Sequence, residues 1–455
     1  MSVLENISKV YFLGVGGIGM SALARYFNER GLEVKGYDKT PSSLTDQLGK
    51  EGIQITFEDE LTTLMQDADL VVYTPAIPVS HKQLNWYKEH SFQLMKRSEV
   101  LGLISRNHFC IAIAGSHGKT TVSSMLAHLL NQSVGCTAFL GGIATNYNSN
   151  YIHSSDKYMV VEADEFDRSF LTLHPNIAGI TAIDSDHLEV YGSLEKIEEE
   201  FIQFANQIVT DGKMVIHEDY THVGSLIKTD IEQTVYGQRN QADYRLLDYR
   251  IEGGRFIFSV DYKGEKIANL EANFGGIHNL ENATLAIAIA KNIGLDNDSI
   301  KDGIRSFKGI KRRFEKHVDG DTIYIDDYAH HPMEIRAFLN SLKYLYPDKE
   351  ILAIFQPHLF SRTQNLYQEF GDELSVADQV FLLPIYPARE EPVEGVSSEL
   401  IWSAISQKNK SLVEKEELLS LVQKYGKGKV VATIGAGDID RFVEPIKTLF
   451  GEKGN

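Results

Sequence analysis

Ala114-Gly115-Ser116-His117-Gly118-Lys119-Thr120-Thr121 follows the apolar run Phe109-Cys110-Ile111-Ala112-Ile113 and leads into a helical pattern that runs to Leu130. A strand that feeds a glycine loop, which in turn feeds a helix, gathers backbone N–H groups and the positive helix end around phosphate oxygens. The loop Gly115, Ser116, His117, Gly118, Lys119, Thr120 and Thr121 is therefore the expected ATP-binding segment. Lys119 is expected to hold the outer phosphates and the Thr120 hydroxyl a magnesium ion, so ATP and Mg²⁺ are the expected cofactors. Two residues, not the usual four, separate Gly115 from Gly118, and the reading leans on the strand and helix around them.

Two acidic stretches lie downstream. Val161-Glu162-Ala163-Asp164-Glu165 ends the apolar strand Tyr158 to Val161, and ligands of open α/β sheets gather outside the carboxyl ends of strands. A carboxylate there suits Mg²⁺, which takes few protein ligands and completes its shell with water and phosphate oxygens. Asp184-Ser185-Asp186-His187 ends the next apolar run, Ile177 to Ile183, and brings His187 toward the same end of the sheet. Imidazole is an unusual partner for so hard an ion, and the residues alone leave its role open.

Upstream, Gly14-Val15-Gly16-Gly17-Ile18-Gly19 follows Val10-Tyr11-Phe12-Leu13, and Asp38 ends the following strand, Val34 to Tyr37. The glycines permit a tight turn against a diphosphate and the acid can meet a ribose hydroxyl, whichever nucleoside is attached. Two further patches stand out. Ile277-His278-Asn279-Leu280-Glu281-Asn282 opens a helix with amides that either cap it or read a base edge. Asp326-Asp327-Tyr328-Ala329-His330-His331-Pro332 follows a strand; no third and fourth ligand stand at zinc spacing, so it reads as a substrate-facing loop.

Strands alternating with helices predict an α/β protein with parallel sheets. At 455 residues one core is too few, and three domains are expected: a Rossmann-like N-terminal domain over 1–107, a central P-loop ATPase-type domain over 108–312, and a C-terminal Rossmann-like domain over 313–455. An antiparallel ribbon is predicted over 243–273, broken at Gly253-Gly254 and Lys263-Gly264. The formal charge of −18 disfavours nucleic acid and anionic membranes as partners, since both are bound mainly by Lys and Arg. With no apolar run of about 20 residues, no export signal and two cysteines, Cys110 and Cys136, the expected location is the cytoplasm.

Taken in order, these patches, with Glu-Ala-Asp-Glu-Phe-Asp-Arg-Ser-Phe-Leu from Glu162 and Arg-Arg-Phe-Glu from Arg312, resemble the Mur ligases from Gly14 to about Arg362. The resemblance is nearest to the member that adds L-alanine to UDP-N-acetylmuramate. It implies that the lactyl carboxylate attacks the γ-phosphoryl of ATP, and that the amine of L-alanine then displaces phosphate from the acyl phosphate. By position it implies one magnesium at Thr120 and Glu162, and a second aided by Glu162 and His187. Asn279 and Asn282 would lie at adenine, Arg313 at the ATP phosphates and Asp327 at the ribose. Gly14, Gly16, Gly17, Ile18, Gly19 and Asp38 would take the UDP sugar, and His330 and Arg362 the acceptor and amino acid. Lys119, His187, Arg313, His330 and Arg362 would serve catalysis, with closure of the third domain over ATP. Ser116 and Leu359 depart from the family, which more often has Thr and Arg there. An NAD-dependent oxidoreductase would leave the loop at Gly115, Glu162 and His187 idle, an ATP-switched binding protein has no need of a UDP-binding domain, and the murein-peptide recycling ligase of the same family adds a tripeptide instead.

Overall fold

The computed structural model describes residues 4, 6–165, 168–184, 191, 193–227, 231–388 and 390–451. His187 and the tail beyond 451 lie outside the described residues. The chain forms three sheets, divided between two compact units: the first comprises 1–248, 258–270 and 281–307, the second 249–257, 271–280 and 308–455.

In the first unit, strands Lys9–Leu13, Glu33–Tyr37, Gln54–Thr56, Leu70–Tyr73 and Leu94–Lys96 make a five-stranded parallel sheet. Lys9–Leu13 is its middle strand, flanked by Glu33–Tyr37 and Leu70–Tyr73, so the chain reverses its direction of travel across the sheet at the glycine turn. That is where α/β sheets open a crevice for ligands. Successive side chains point to opposite faces: Val10 and Phe12 enter one apolar cluster, Tyr11 and Leu13 another.

The second sheet is built around Phe109–Ala114, hydrogen-bonded in parallel to Tyr158–Glu162 on one side and Ile177–Ile180 on the other. Cys110 through Ala114 are fully buried, as a central parallel strand covered on both faces requires. The predicted ribbon is present as strands Tyr244–Glu252, Arg255–Tyr262 and Glu265–Ala272, neighbours at one end of the sheet. Its two turns, Gly253-Gly254 and Lys263-Gly264, have positive φ throughout, the conformation that matches the twist of a two-residue hairpin. Several strands escaped the sequence reading, among them Thr137–Ala144, Ser149–His153, Lys213–His217 and Glu232–Gly237. The strand read as running to Ile183 stops at Ile180, because Thr181 and Ala182 turn to meet the glycine loop.

A boundary near residue 107 separates these two sheets but not their packing. One buried cluster runs from Val10 and Phe27 to Cys110, Phe139, Tyr151 and Phe204. Tyr26 packs at a tilt against Phe139 and edge-on against Tyr151, and Arg30 lies over the Tyr26 ring. Arg25, 4% exposed, donates through Nε and Nη2 to both oxygens of Glu51 and through Nη1 to Asn150, while Asn150 donates in turn to the Ser21 hydroxyl and the Ile18 carbonyl.

In the second unit, the six-stranded sheet runs Glu315–Asp319, Ile323–Asp327, Val430–Ile434, Ile351–Phe355, Gln379–Leu382, Lys410–Leu412, parallel except for its first strand. Alternation again feeds two cores: Ile323 and Ile325 pack with Leu339 and Phe370, and Tyr324 with Leu418 and Ile446. Both cysteines are free and buried, and among the described residues no helix is long and apolar enough to cross a membrane.

Arg25 is buried although Glu51 faces solvent, so removing Arg25 leaves the Asn150 amide oxygen in the interior without its donor. Arg25→Ala is expected to lower stability by about 1–3 kcal/mol, measured as a fall in the urea midpoint of the first unit. An unchanged midpoint would mean that Asn150 and the aromatic cluster hold the two sheets without it.

Candidate active site

The glycine loop leaves the carboxyl end of Phe109–Ala114 and enters the helix Lys119–Ser133. Gly115 has φ +136, and a Cβ there would run into the Thr181 hydroxyl and lie 2.8 Å from the Ala182 nitrogen. Gly118 caps the helix at φ +81, with the Asn282 amide oxygen 2.5 Å from where a Cβ would stand. Both positions therefore need glycine for backbone conformation and for space. Between them, the Ser116 N–H donates to the Ala182 carbonyl at 2.8 Å, the Asp184 N–H donates to the Ser116 hydroxyl at 2.9 Å, and the Thr181 hydroxyl donates to the His117 carbonyl. His117 Nε2 stands 3.6 Å from Asp184, both side chains well exposed. The loop is thus built in advance, its shape set by the neighbouring strand's continuation.

Lys119 reaches back over the loop. Its Nζ donates to the Gly115 carbonyl at 2.6 Å and to Glu165 Oε1 at 2.7 Å. Burial holds the Glu165 carboxyl above its ordinary range, and the Lys119 ammonium offsets only part of that rise. On the other flank, Thr120 donates its hydroxyl to Glu162 Oε1 at 3.1 Å, and the Gly141 N–H donates to Glu162 Oε2 at 3.0 Å. A hydroxyl and a carboxylate at the mouth of a phosphate loop form a hard oxygen donor set, which fits Mg²⁺. The structure thus brings together Gly115, Ser116, His117, Gly118, Lys119, Thr120, Glu162 and Asn282 of the residues singled out in the sequence.

The first sheet's turn is also preformed. Gly14 and Val15 donate N–H groups to the Tyr37 carbonyl at 2.8 and 3.0 Å. Asp38 Oδ2 accepts from the Gly16 N–H at 2.7 Å, so this acid holds the turn itself. Arg97, which the sequence reading passed over, lies along Gly19, its Cδ 3.0 Å from where a Cβ would stand.

In the second unit, Asp327 accepts from the Phe314 N–H at 2.7 Å and the Ala329 N–H at 2.8 Å. Desolvation pushes its carboxyl up to about 7, against those donors and the nearby Arg313. Arg313 is exposed. The His330 ring lies 3.0 Å from the Tyr328 carbonyl through Nδ1, and its pKa is lowered by burial although Glu334 raises it. Arg362 donates to the His330 carbonyl at 3.4 Å. His331 caps the helix Pro332–Leu345, with Glu334 accepting from the N–H groups of His330 and His331. Asn279 donates to the Gly275 carbonyl at 2.6 Å. Leu359 sits at φ +72, a strained conformation for a branched side chain, and its N–H donates to the Tyr386 carbonyl at 3.0 Å. Arg312, also unassigned from the sequence, binds Asp326 at 3.0 Å and the Gly435 carbonyl.

Compared with known proteins, the chain matches the Mur ligase family catalytic domain over residues 9–109, the Mur ligase middle domain over 113–290, and the Mur ligase glutamate ligase domain over 312–437. It is 45% identical to the UDP-N-acetylmuramate–L-alanine ligase of Flavobacterium johnsoniae over 455 residues, covering 99% of each. It is 46% identical to that of Porphyromonas gingivalis strain W83, covering 97% of this chain and 98% of the relative. The crystal structure of the UDP-N-acetylmuramate–alanine ligase of Thermotoga maritima superposes with a TM-score of 0.80 at 29% identity, over 97% of this chain and 99% of that one. A murein peptide ligase from Psychrobacter arcticus, at 22% identity and a TM-score of 0.69 over 98% and 99% of the two chains, shares the fold.

Glu162→Gln keeps the shape of the side chain and removes its charge. The magnesium concentration giving half-maximal phosphate release from ATP is expected to rise several-fold, a titration that would stay unmoved if Glu162 served only Thr120 and Gly141.

Proposed function

This chain belongs to the Mur ligase family, and on that premise we propose that it joins L-alanine to the lactyl carboxylate of UDP-N-acetylmuramate at the expense of ATP, a step of peptidoglycan synthesis. The observation that carries the ligase reading is the placement of Thr120 beside Glu162 and of Lys119 over the glycine loop, at the carboxyl ends of adjacent strands. The choice of L-alanine is supported by relatives bearing that activity at about 45% identity along the whole chain.

A free carboxylate is a poor electrophile, and ATP supplies the phosphoryl group that makes it reactive. The first step brings two anions together, so charge screening dominates the barrier. Lys119, held above the loop, is the cation that meets the transferring phosphoryl group. The loop N–H groups and the positive end of the helix Lys119–Ser133 hold the remaining phosphate oxygens. Thr120 and Glu162 would hold a magnesium ion, which neutralises phosphate charge when bound. In the second step the alanine amine attacks the acyl carbon and phosphate departs with the bonding electrons.

The other roles are proposals carried by family position. The first domain, 1–107, takes the UDP sugar at Gly14 to Gly19, with Arg97 near the turn. Asn279 and Asn282 serve adenine, Arg313 the phosphates, Asp327 the ribose, and His330 and Arg362 the acceptor and the amino acid. The central and third domains are 108–312 and 313–455, and the cytoplasm is the place of action.

The test is phosphate release with UDP-N-acetylmuramate, ATP and magnesium, scanned across amino acids and the alanyl tripeptide. Release with alanine and none with tripeptide is expected; the reverse would make the chain a recycling ligase, and NAD binding without a UDP-sugar response would overturn the reading of the first domain. Lys119→Ala is expected to cut release by about 10²-fold or more, and near-normal turnover would take Lys119 out of the mechanism. A guanidinium pairs a carboxylate through two parallel hydrogen bonds that lysine cannot reproduce. Arg362→Lys should therefore raise the KM for alanine before that for ATP, and an unmoved alanine KM would place the carboxylate elsewhere.

A further inference from the structure

Glu165 stands in the same stretch as Glu162, has no role in the chemistry derived so far, and is 3% exposed. One of its oxygens takes the Lys119 ammonium at 2.7 Å; the other is buried and has no hydrogen-bond partner among the described residues. Burying a carboxylate costs several kcal/mol, recovered only when its charge is paired and its lone pairs are filled. A pair selected for stability alone would fill both oxygens or be replaced by apolar contacts.

The carbonyls of Glu165 and of the residue before it each accept two hydrogen bonds. That of Glu165 accepts from the Tyr191 hydroxyl and, at 2.9 Å, from the Arg168 N–H. One residue earlier, the Asp164 carbonyl accepts from the Phe170 N–H at 3.0 Å and the Ser169 hydroxyl at 3.1 Å. Phe170 is fully buried and stacks on Phe204 with ring centroids 5.1 Å apart. The carboxylate is therefore carried on a rigid support, as a group must be if it is to aim another.

We propose that Glu165 is a positioning residue for Lys119, fixing the lysine ammonium between itself and the Gly115 carbonyl so that the remaining N–H points at the transferring phosphoryl group. The inference rests on the ligase reading above. An ammonium has three N–H groups, and two are occupied by Glu165 and Gly115. The arrangement has a cost in affinity, because a carboxylate beside the lysine repels the phosphates that the lysine attracts. Glu165 thus weakens binding of the nucleotide in its ground state while removing the freedom that Lys119 would otherwise lose on the way to the transition state.

That opposition gives a signature which a purely structural residue would not produce. Calorimetry with ADP in the absence of metal, and steady-state phosphate release, are measured for the wild type, Glu165→Gln and Glu165→Asp. Glu165→Gln is expected to bind ADP about 3–10-fold more tightly, since one negative charge near the phosphates is gone. Its kcat is expected to fall by about tenfold or more, since the lysine is no longer aimed. Glu165→Asp, which keeps the charge but shortens the reach, should bind ADP like the wild type and lose part of its kcat. An unchanged kcat in Glu165→Gln would overturn the proposal, and so would ADP affinity and kcat falling together. Because ADP binding needs neither the UDP sugar nor alanine, the tightening stands or fails separately from the identity of the acceptor.

Discussion

Gly115 lies against the Thr181 hydroxyl and the Ala182 backbone so closely that no side chain fits between them. Around this contact the Ser116 N–H meets the Ala182 carbonyl and Thr181 meets the His117 carbonyl, so the strand Ile177–Ile180 supplies the floor on which the phosphate loop rests. Because the Ser116 N–H and the His117 carbonyl are held by the neighbouring strand's continuation, the loop needs no ligand to hold its shape. A loop that ordered itself only on binding would have to meet that entropy cost out of nucleotide affinity. The lysine is treated in the same way, held by a carbonyl and a carboxylate before any phosphate arrives. Under the proposed function these residues make a preorganised electrostatic trap, on which a reaction between two anions depends more than on any covalent chemistry by the protein.

The turn of the first sheet follows the same logic with different parts. Asp38 holds the Gly16 N–H and Tyr37 accepts from the two residues before it, so the turn is shaped by the following strand. This turn keeps a fixed relation to the phosphate loop because the two sheets share an apolar cluster, and because Arg25, Glu51 and Asn150 tie a helix of one to a hairpin of the other. A buried arginine with both oxygens of its partner engaged tolerates little sliding.

The second unit concentrates backbone strain near its own candidate residues. Arg312 and Phe314 have φ of +60 and +49, and a Cβ on Gly275 would collide with the Phe314 ring. Asp327 holds the Phe314 N–H and Arg312 is fastened to Asp326, so the strain is balanced by charged hydrogen bonds. Leu359, strained as well, begins the helix that carries Arg362. Left-handed conformations in residues other than glycine cost of order 1–3 kcal/mol each and persist where the surrounding structure enforces them.

Much of this was legible in the sequence. Buried parallel strands such as Phe109–Ala114 and Ile351–Phe355 announce themselves as short apolar runs, and the hairpin turns at Gly253 and Lys263 through their glycines. The strand–glycine loop–helix arrangement and the ligase family followed from motifs, because their residue types and spacing are dictated by local chemistry. Strands such as Glu232–Gly237, with mixed polarity, were not legible, since their neighbours and not their own pattern hold them in the sheet. Asp38 read as a ligand for a ribose; its further contact with the Gly16 N–H is one that only the folded turn creates. Glu165 could be quoted within a motif, but its partner Lys119 lies 46 residues away, and no periodicity in the sequence encodes that pairing. Local rules of backbone conformation and burial therefore determined the buried apolar strands, the glycine turns and the glycine loop; the tertiary structure alone decided which charges meet, because an ion pair depends on distance in space and not on separation along the chain.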